Sequence, residues 1–187
     1  SFNSQVGVPL SVFGINENHT LGIFEAGISL KGEMQKLAKI IQPNIGIFTH
    51  LGNAHQEGFT TVEEKIIEKC QLFSKAEVLI LEKNDWIEKH IIIPTFTWSF
   101  EDTKATVFIQ SILKNNLKTN LEIQFEKEVF TVSLPFTDAI SIENAITCIC
   151  TLLYLKVSIS NIKERISKLY NIEIRLQAKK GINNCLL

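Results

Sequence analysis

The strongest constraint on the fold lies in the first half of the chain, where short, almost continuously apolar runs alternate with segments of helical period. Residues 20–26 (TLGIFEA), 45–51 (IGIFTHL) and 78–82 (VLILE) have the character of strands covered on both faces, as parallel strands are. Between them lie 33–41, stopped by Pro43, and 62–73, in which Val62, Ile66, Cys70 and Phe73 fall at helical spacing. Strand, helix, strand, helix, strand predicts an α/β fold, a mostly parallel sheet flanked by crossover helices.

After Trp98 the pattern changes. Residues 105–113, 117–125 and 128–134 are strand-like; Leu121, Ile123 and Phe125 alternate with Glu122, Gln124 and Glu126, and Asn115-Asn116 and Lys127 mark turns. A small antiparallel β-meander is expected there. Helices then return, one capped by Ser141 with a core face of Ile142, Ala145, Ile146, Ile149 and Leu153, another capped by Ser160 and running through Leu169.

Composition narrows the function classes. Nineteen Lys and Arg against 20 Asp and Glu leave a net charge of −1, so no basic surplus points to nucleic acid. The sequence holds no run of about 18 apolar residues of the kind that crosses a bilayer, and no membrane insertion is expected. The four cysteines (Cys70, Cys148, Cys150, Cys185) are too scattered for a disulfide framework; Cys148 and Cys150, two apart on a helix, point in different directions. A reducing, cytoplasmic setting follows.

Ligands of open α/β sheets bind beyond the carboxyl ends of the strands, and the unusual polar groups of this chain fall there. Glu25 closes the first apolar run, followed by Gly27, which lets backbone or ligand come close. His55 lies in a loop with two glycines after the second run, where it could join Glu25 in a divalent-metal site; a solvated loop histidine is the plainer alternative. His50, His19 and His90 read as structural. Lys69 sits within about 40° of Val62 and Phe73 on the helix, inside the apolar face. Either its stem lies on the core and the ammonium reaches solvent, or burial depresses its pKa and leaves an amine able to form a carbamate with carbon dioxide. No Gly-x-x-x-x-Gly-Lys-Ser/Thr phosphate loop, nucleophile elbow or His-Glu-x-x-His motif occurs.

The stretches Asn3-Ser4-Gln5-Val6-Gly7-Val8-Pro9-Leu10, Ile23-Phe24-Glu25-Ala26-Gly27 with Gly32-Glu33, Ala54-His55-Gln56-Glu57-Gly58-Phe59 and Glu68-Lys69 together resemble the central domain of the Mur ligases over nearly the whole chain. The resemblance implies an ATP-dependent amide ligase of peptidoglycan precursor synthesis, using Mg2+ and passing through an acyl phosphate. The Gly-Val-Pro-Leu and Ala-His-Gln-Glu-Gly-Phe stretches favour UDP-N-acetylmuramoyl-tripeptide and D-Ala-D-Ala as substrates. By motif position it implies Glu25 and His55 as magnesium ligands and Lys69 as a carbamylated, catalytic and metal-bridging lysine. Asn144 would contact adenine, in a segment where Ser141 and Ile140 depart from the family's asparagine and histidine; Arg175 would reach ribose and phosphate. Asn3, Ser4 and Gln5 would face the UDP-sugar peptide, with Ser4 standing where asparagine is usual.

The same resemblance implies that residues 1–172 are a central ATP-binding domain without its first strand and phosphate loop, and that 173–187 open a C-terminal ligase domain. Amino- and carboxyl-terminal domains of the same protein are expected partners, and this chain alone is expected not to catalyse ligation. Lys180-Gly181-Ile182-Asn183-Asn184-Cys185 resembles in addition the ligase half of a fusion with alanine racemase. The alternatives are another Mur ligase or a folylpolyglutamate synthase-like ligase, and, from a different class, a non-catalytic α/β binding module.

Overall fold

The computed structural model describes residues 2–49 and 58–170. The chain divides into two compact units, Ser1–Phe108 and Ile109–Leu187. Among the described residues, the first unit holds helices α1 (Gly7–Phe13), α2 (Glu33–Ile41), α3 (Val62–Gln71) and α4 (Asp85–His90) with strands β1 (Ile45–Phe48), β2 (Val78–Glu82) and β3 (Thr95–Ser99). Strand β4 (Val107–Lys114) runs through the division, and the second unit continues with β5 (Thr119–Phe125), β6 (Glu128–Leu134), α5 (Ala139–Tyr154) and α6 (Ile159–Ile166).

Strands adjacent in sequence are adjacent in the sheet. β1, β2, β3 and the start of β4 pair in parallel, with Phe48 beside Leu81, Leu81 beside Thr97 and Trp98 beside Val107. β5 and β6 are antiparallel over their full length, from Thr119 opposite Leu134 to Phe125 opposite Glu128. The expected parallel α/β sheet is present, and the antiparallel pairing expected after it is seen between β5 and β6.

The apolar residues of β1 and β2 explain the layering. Leu79, Leu81 and Phe48 pack with Ile66 and Phe73 from the α3 region and Ile87 of α4, forming one core. Gly46 is buried in β1, and a Cβ there would come within 2.6 Å of the Phe73 ring and 2.9 Å of Leu79 Cδ1. A second cluster joins Val8 of α1 to Met34 and Leu37 of α2. Pro9 stands in the first turn of α1, where its missing N–H costs nothing. The outer side of that helix leaves Val6, Leu10 and Phe13 exposed.

Three expectations are corrected. Residues 20–26 are not a strand: they join no ladder among the described residues, and Leu21 and Ile23 are 68% and 84% exposed. A strand exists only through its partners, and the N–H of Gly27 finds the Asn3 carbonyl instead at 2.8 Å. The cap of α5 is Asp138 rather than Ser141; the Asp138 side chain accepts from the Ser141 N–H at 2.8 Å. α6 is capped by Ser158 rather than Ser160, accepting from the Asn161 N–H, and ends at Ile166.

The Asp138 cap has a measurable consequence. Its bond from the Ser141 amide holds the carboxyl below its usual pKa, so this contribution is present above the unfolded carboxylate's pKa of about 4 and is lost as the pH falls through the lower folded value. Asp138→Ala is expected to cost about 1 kcal/mol at neutral pH, and chemical denaturation at pH 7 and at pH 2 checks it, the difference between variant and parent shrinking in acid.

Candidate active site

The site is built from the segment that leads into α1, the irregular run through Gly27, and the face of α3. Asn3 ties the first two together. Its side-chain amide donates to Glu25 Oε1 at 2.9 Å, and its backbone carbonyl accepts from the Gly27 N–H at 2.8 Å. Glycine at 27 makes this approach feasible: a Cβ would lie 3.2 Å from the Asn3 carbonyl oxygen and 3.3 Å from its Cγ. Gly27 does admit a close neighbour, and that neighbour is Asn3.

Ser4 and Gln5 take different roles locally. Ser4 Oγ accepts from the Gly7 N–H at 3.0 Å, and its carbonyl accepts from the Val8 N–H at 3.0 Å, which starts α1. Gln5 Nε2 is shut off from solvent with no hydrogen-bond partner among the described residues. A buried amide without a partner is costly in a native protein, and it offers a donor to a ligand.

Lys69 lies half-buried on α3, with its Nζ 5.2 Å from the centre of the Phe48 ring. Phe48 in turn meets the Phe73 ring at 6.5 Å between centroids. The in-face position read from the sequence holds at this end of the helix, whereas Val62 at the other end is 40% exposed. Burial lowers the Lys69 pKa, and the neighbouring charge of Lys65 lowers it further. A larger fraction of neutral amine is therefore available near neutrality than on a surface lysine. Cys70 beside it is pushed up to about 11 by burial and stays a thiol.

Glu68, adjacent to Lys69, accepts from the Met34 N–H of α2 at 3.1 Å. Glu33 Oε2 accepts from the Ser29 and Leu30 N–H groups at 2.7 and 2.9 Å, shaping the turn that follows Gly27. Gly58, three residues beyond His55 in sequence, adopts φ +89°, and a Cβ there would lie 2.6 Å from the Ser29 carbonyl oxygen. Gly58 thus lies against Ser29, four residues after Glu25 in sequence.

Asn3 and Glu25 are joined directly. Lys69 packs on Phe48, two residues before the segment that leads to His55. His55 itself, His50, Arg175 and the 180–185 stretch lie outside the described residues. Asn144 is exposed on α5 in the second unit, opposite the buried Ile142, Ala145, Ile146 and Ile149. Among the described residues no group of three His, Cys, Asp or Glu could hold a metal ion. The Asn3–Glu25 bond and the Glu68–Met34 bond were not read from the sequence; glycine at 27 was the available signal for the first, and nothing local announces the second.

The fold is that of solved ligase domains. The described architecture superposes on MurF from Acinetobacter baumannii with a TM-score of 0.83 at 20% identity, over 98% of this chain and 42% of that one. It also matches the MurF ligase of Thermotoga maritima, solved in complex with ADP, with a TM-score of 0.78 at 20% identity over 94% of this chain and 42% of that one. Residues 1–152 match the Mur ligase middle domain, and the chain belongs to the Mur ligase family. The UDP-N-acetylmuramoyl-tripeptide–D-alanyl-D-alanine ligase of Borreliella burgdorferi is 29% identical over 174 residues, which is 88% of this chain and 36% of that protein. The chain thus spans about a third of the length of that relative.

Proposed function

We propose that the protein joins D-Ala-D-Ala to UDP-N-acetylmuramoyl-tripeptide at the expense of ATP, in the cytoplasm. ATP would phosphorylate the free carboxylate of the tripeptide, the amine of D-Ala-D-Ala would attack the acyl phosphate, and the tetrahedral intermediate would release phosphate and form the amide. The reading is carried by the family match over residues 1–152 together with a half-buried lysine on α3 whose pKa burial lowers. A module that had lost its chemistry has no reason to keep Glu25, His55 and Lys69 together, so the non-catalytic alternative is disfavoured. No helix among the described residues is long and apolar enough to cross a membrane, in keeping with a soluble substrate pair.

The donor set fits magnesium. Glu25 is an exposed carboxylate already oriented on one oxygen, and a carbamate on Lys69 would add further hard oxygens of the kind this ion prefers. When bound, Mg2+ neutralises phosphate charge and the charge developing on the transferring group. Glu25 and His55 would hold the ions, and Lys69, carbamylated, would bridge them. Asn3, Ser4 and Gln5 would face the UDP-sugar peptide, Asn144 the adenine and Arg175 the ribose and phosphate. Residues 1–172 would form the central domain and 173–187 the start of the next, with the second-substrate domain beyond; a racemase fused to the same protein is the reading of 180–185.

Phosphate release by the full-length protein, supplied with ATP, Mg2+ and the UDP-muramoyl-tripeptide, is expected with D-Ala-D-Ala as acceptor and not with glutamate or diaminopimelate. Turnover with either amino acid in place of the dipeptide would move the assignment to another member of the family.

A further inference from the structure

We propose that Asn3 is a positioning residue that orients Glu25 for metal binding, acting through the carboxylate in addition to any contact with the UDP-sugar peptide. The inference rests on the reading of Glu25 as a metal ligand and adds to it a second residue with a different job.

Glu25 is exposed, on a run that no strand ladder holds among the described residues. A glutamate there has three free side-chain torsions, and fixing them opposes binding. Asn3 removes that freedom with two contacts to one short stretch, amide to Glu25 Oε1 at 2.9 Å and carbonyl to the Gly27 N–H at 2.8 Å. The pair of bonds defines both the direction of the carboxylate and the distance of its backbone. Asn3 is itself anchored. The next residue, Ser4, starts α1 through its bonds from Gly7 and Val8, and Val8 is 1% exposed against Met34 and Leu37. A chain of contacts thus runs from a packed core through α1 to one oxygen of Glu25. Hydrogen-bonded partners of ligating carboxylates characteristically tune metal affinity in this way.

The test uses Mn2+ alone as probe, its binding to the full-length protein followed by electron paramagnetic resonance, with thermal unfolding recorded for each variant. Glu25→Gln is expected to lose the site, and Asn3→Ala to weaken Mn2+ about tenfold with little change in melting temperature. Combining the two should leave affinity where Glu25→Gln alone leaves it. Gly27→Ala, whose methyl would press on the Asn3 carbonyl oxygen and Cγ at 3.2 and 3.3 Å and strain both bonds while keeping the Asn3 side chain, should weaken Mn2+ measurably, so the proposal stays testable even if Asn3→Ala does not fold. Parental affinity in both Asn3→Ala and Gly27→Ala, with Glu25→Gln defective, would overturn the role of Asn3 and leave the Glu25 reading standing. Unchanged binding in Glu25→Gln, or no Mn2+ site in the unsubstituted protein, would overturn both.

Discussion

Lys69→Ala in the full-length protein is expected to lower ligation by about a thousandfold, and excess bicarbonate should not restore it. Lys69→Arg sharpens the result. Arginine keeps a cation to lie over Phe48, but its guanidinium neither deprotonates nor forms a carbamate. If Lys69 served only as a cation on the ring, Arg would retain most of the activity; if it reacts with carbon dioxide, Arg is as inactive as Ala. Phosphate release decides between them, and near-parental activity in either variant refutes the carbamate.

Stability should move the other way. Burial lowers the Lys69 pKa, so the charged amine costs the folded state something, offset by about 0.5–1 kcal/mol from the ring contact. Below the folded pKa both states are protonated and the cost is present in full; as the pH rises through it, the native state sheds its proton first and the cost is relieved.

The second large effect is on the fold. Gly46→Ala is expected to destabilise the protein by about 1–3 kcal/mol, because the added methyl meets the Phe73 ring at 2.6 Å and Leu79 at 2.9 Å with no room to turn away. Trimming the obstacle, Gly46→Ala with Phe73→Leu, should recover part of the loss. Urea denaturation measures both, and an unperturbed Gly46→Ala would mean that this layer is looser than its distances indicate. Phe73 leans on Phe48 beneath Lys69, so the single substitution should also depress turnover.

The sequence carried much of this architecture where one signal dominated. The span 33–41 is bounded by glycine and proline, 78–82 is apolar throughout, and 128–134 alternates cleanly; each element has the bounds read for it. Helix α1 was not anticipated, because Gly7 and Pro9 look like breakers although a proline in the first turn is tolerated. α4 and β3 were missed in a run, 85–99, whose apolar residues follow no single period. The caps of α5 and α6 lie two or three residues from the expected ones because two candidate oxygens stand at each start, Asp138 and Ser141 at α5 and Ser158 and Ser160 at α6, and the exposed Ile140 gives the apolar period nothing to arbitrate with. Residues 20–26 misled for a different reason: an apolar run records what a segment could pair with, whereas a ladder needs the partner.

Of the site, the unusual lysine could be read from helical geometry alone, since a single angle places it on the apolar face. The clamp of Asn3 on Glu25 could not be read, because 22 residues separate the partners and no periodicity links them.

One contact bears on how the chain reaches its native state. Helix α2 begins on Gly32, which has no side chain to cap it, and its Met34 N–H is met by Glu68, a residue of α3. Nine residues are too few for a helix to persist alone in water, so α2 depends on its neighbours: α1 packs on Met34 and Leu37, and α3 supplies an acceptor for the first turn. Loosening of α3 is expected to free that amide and fray the beginning of α2.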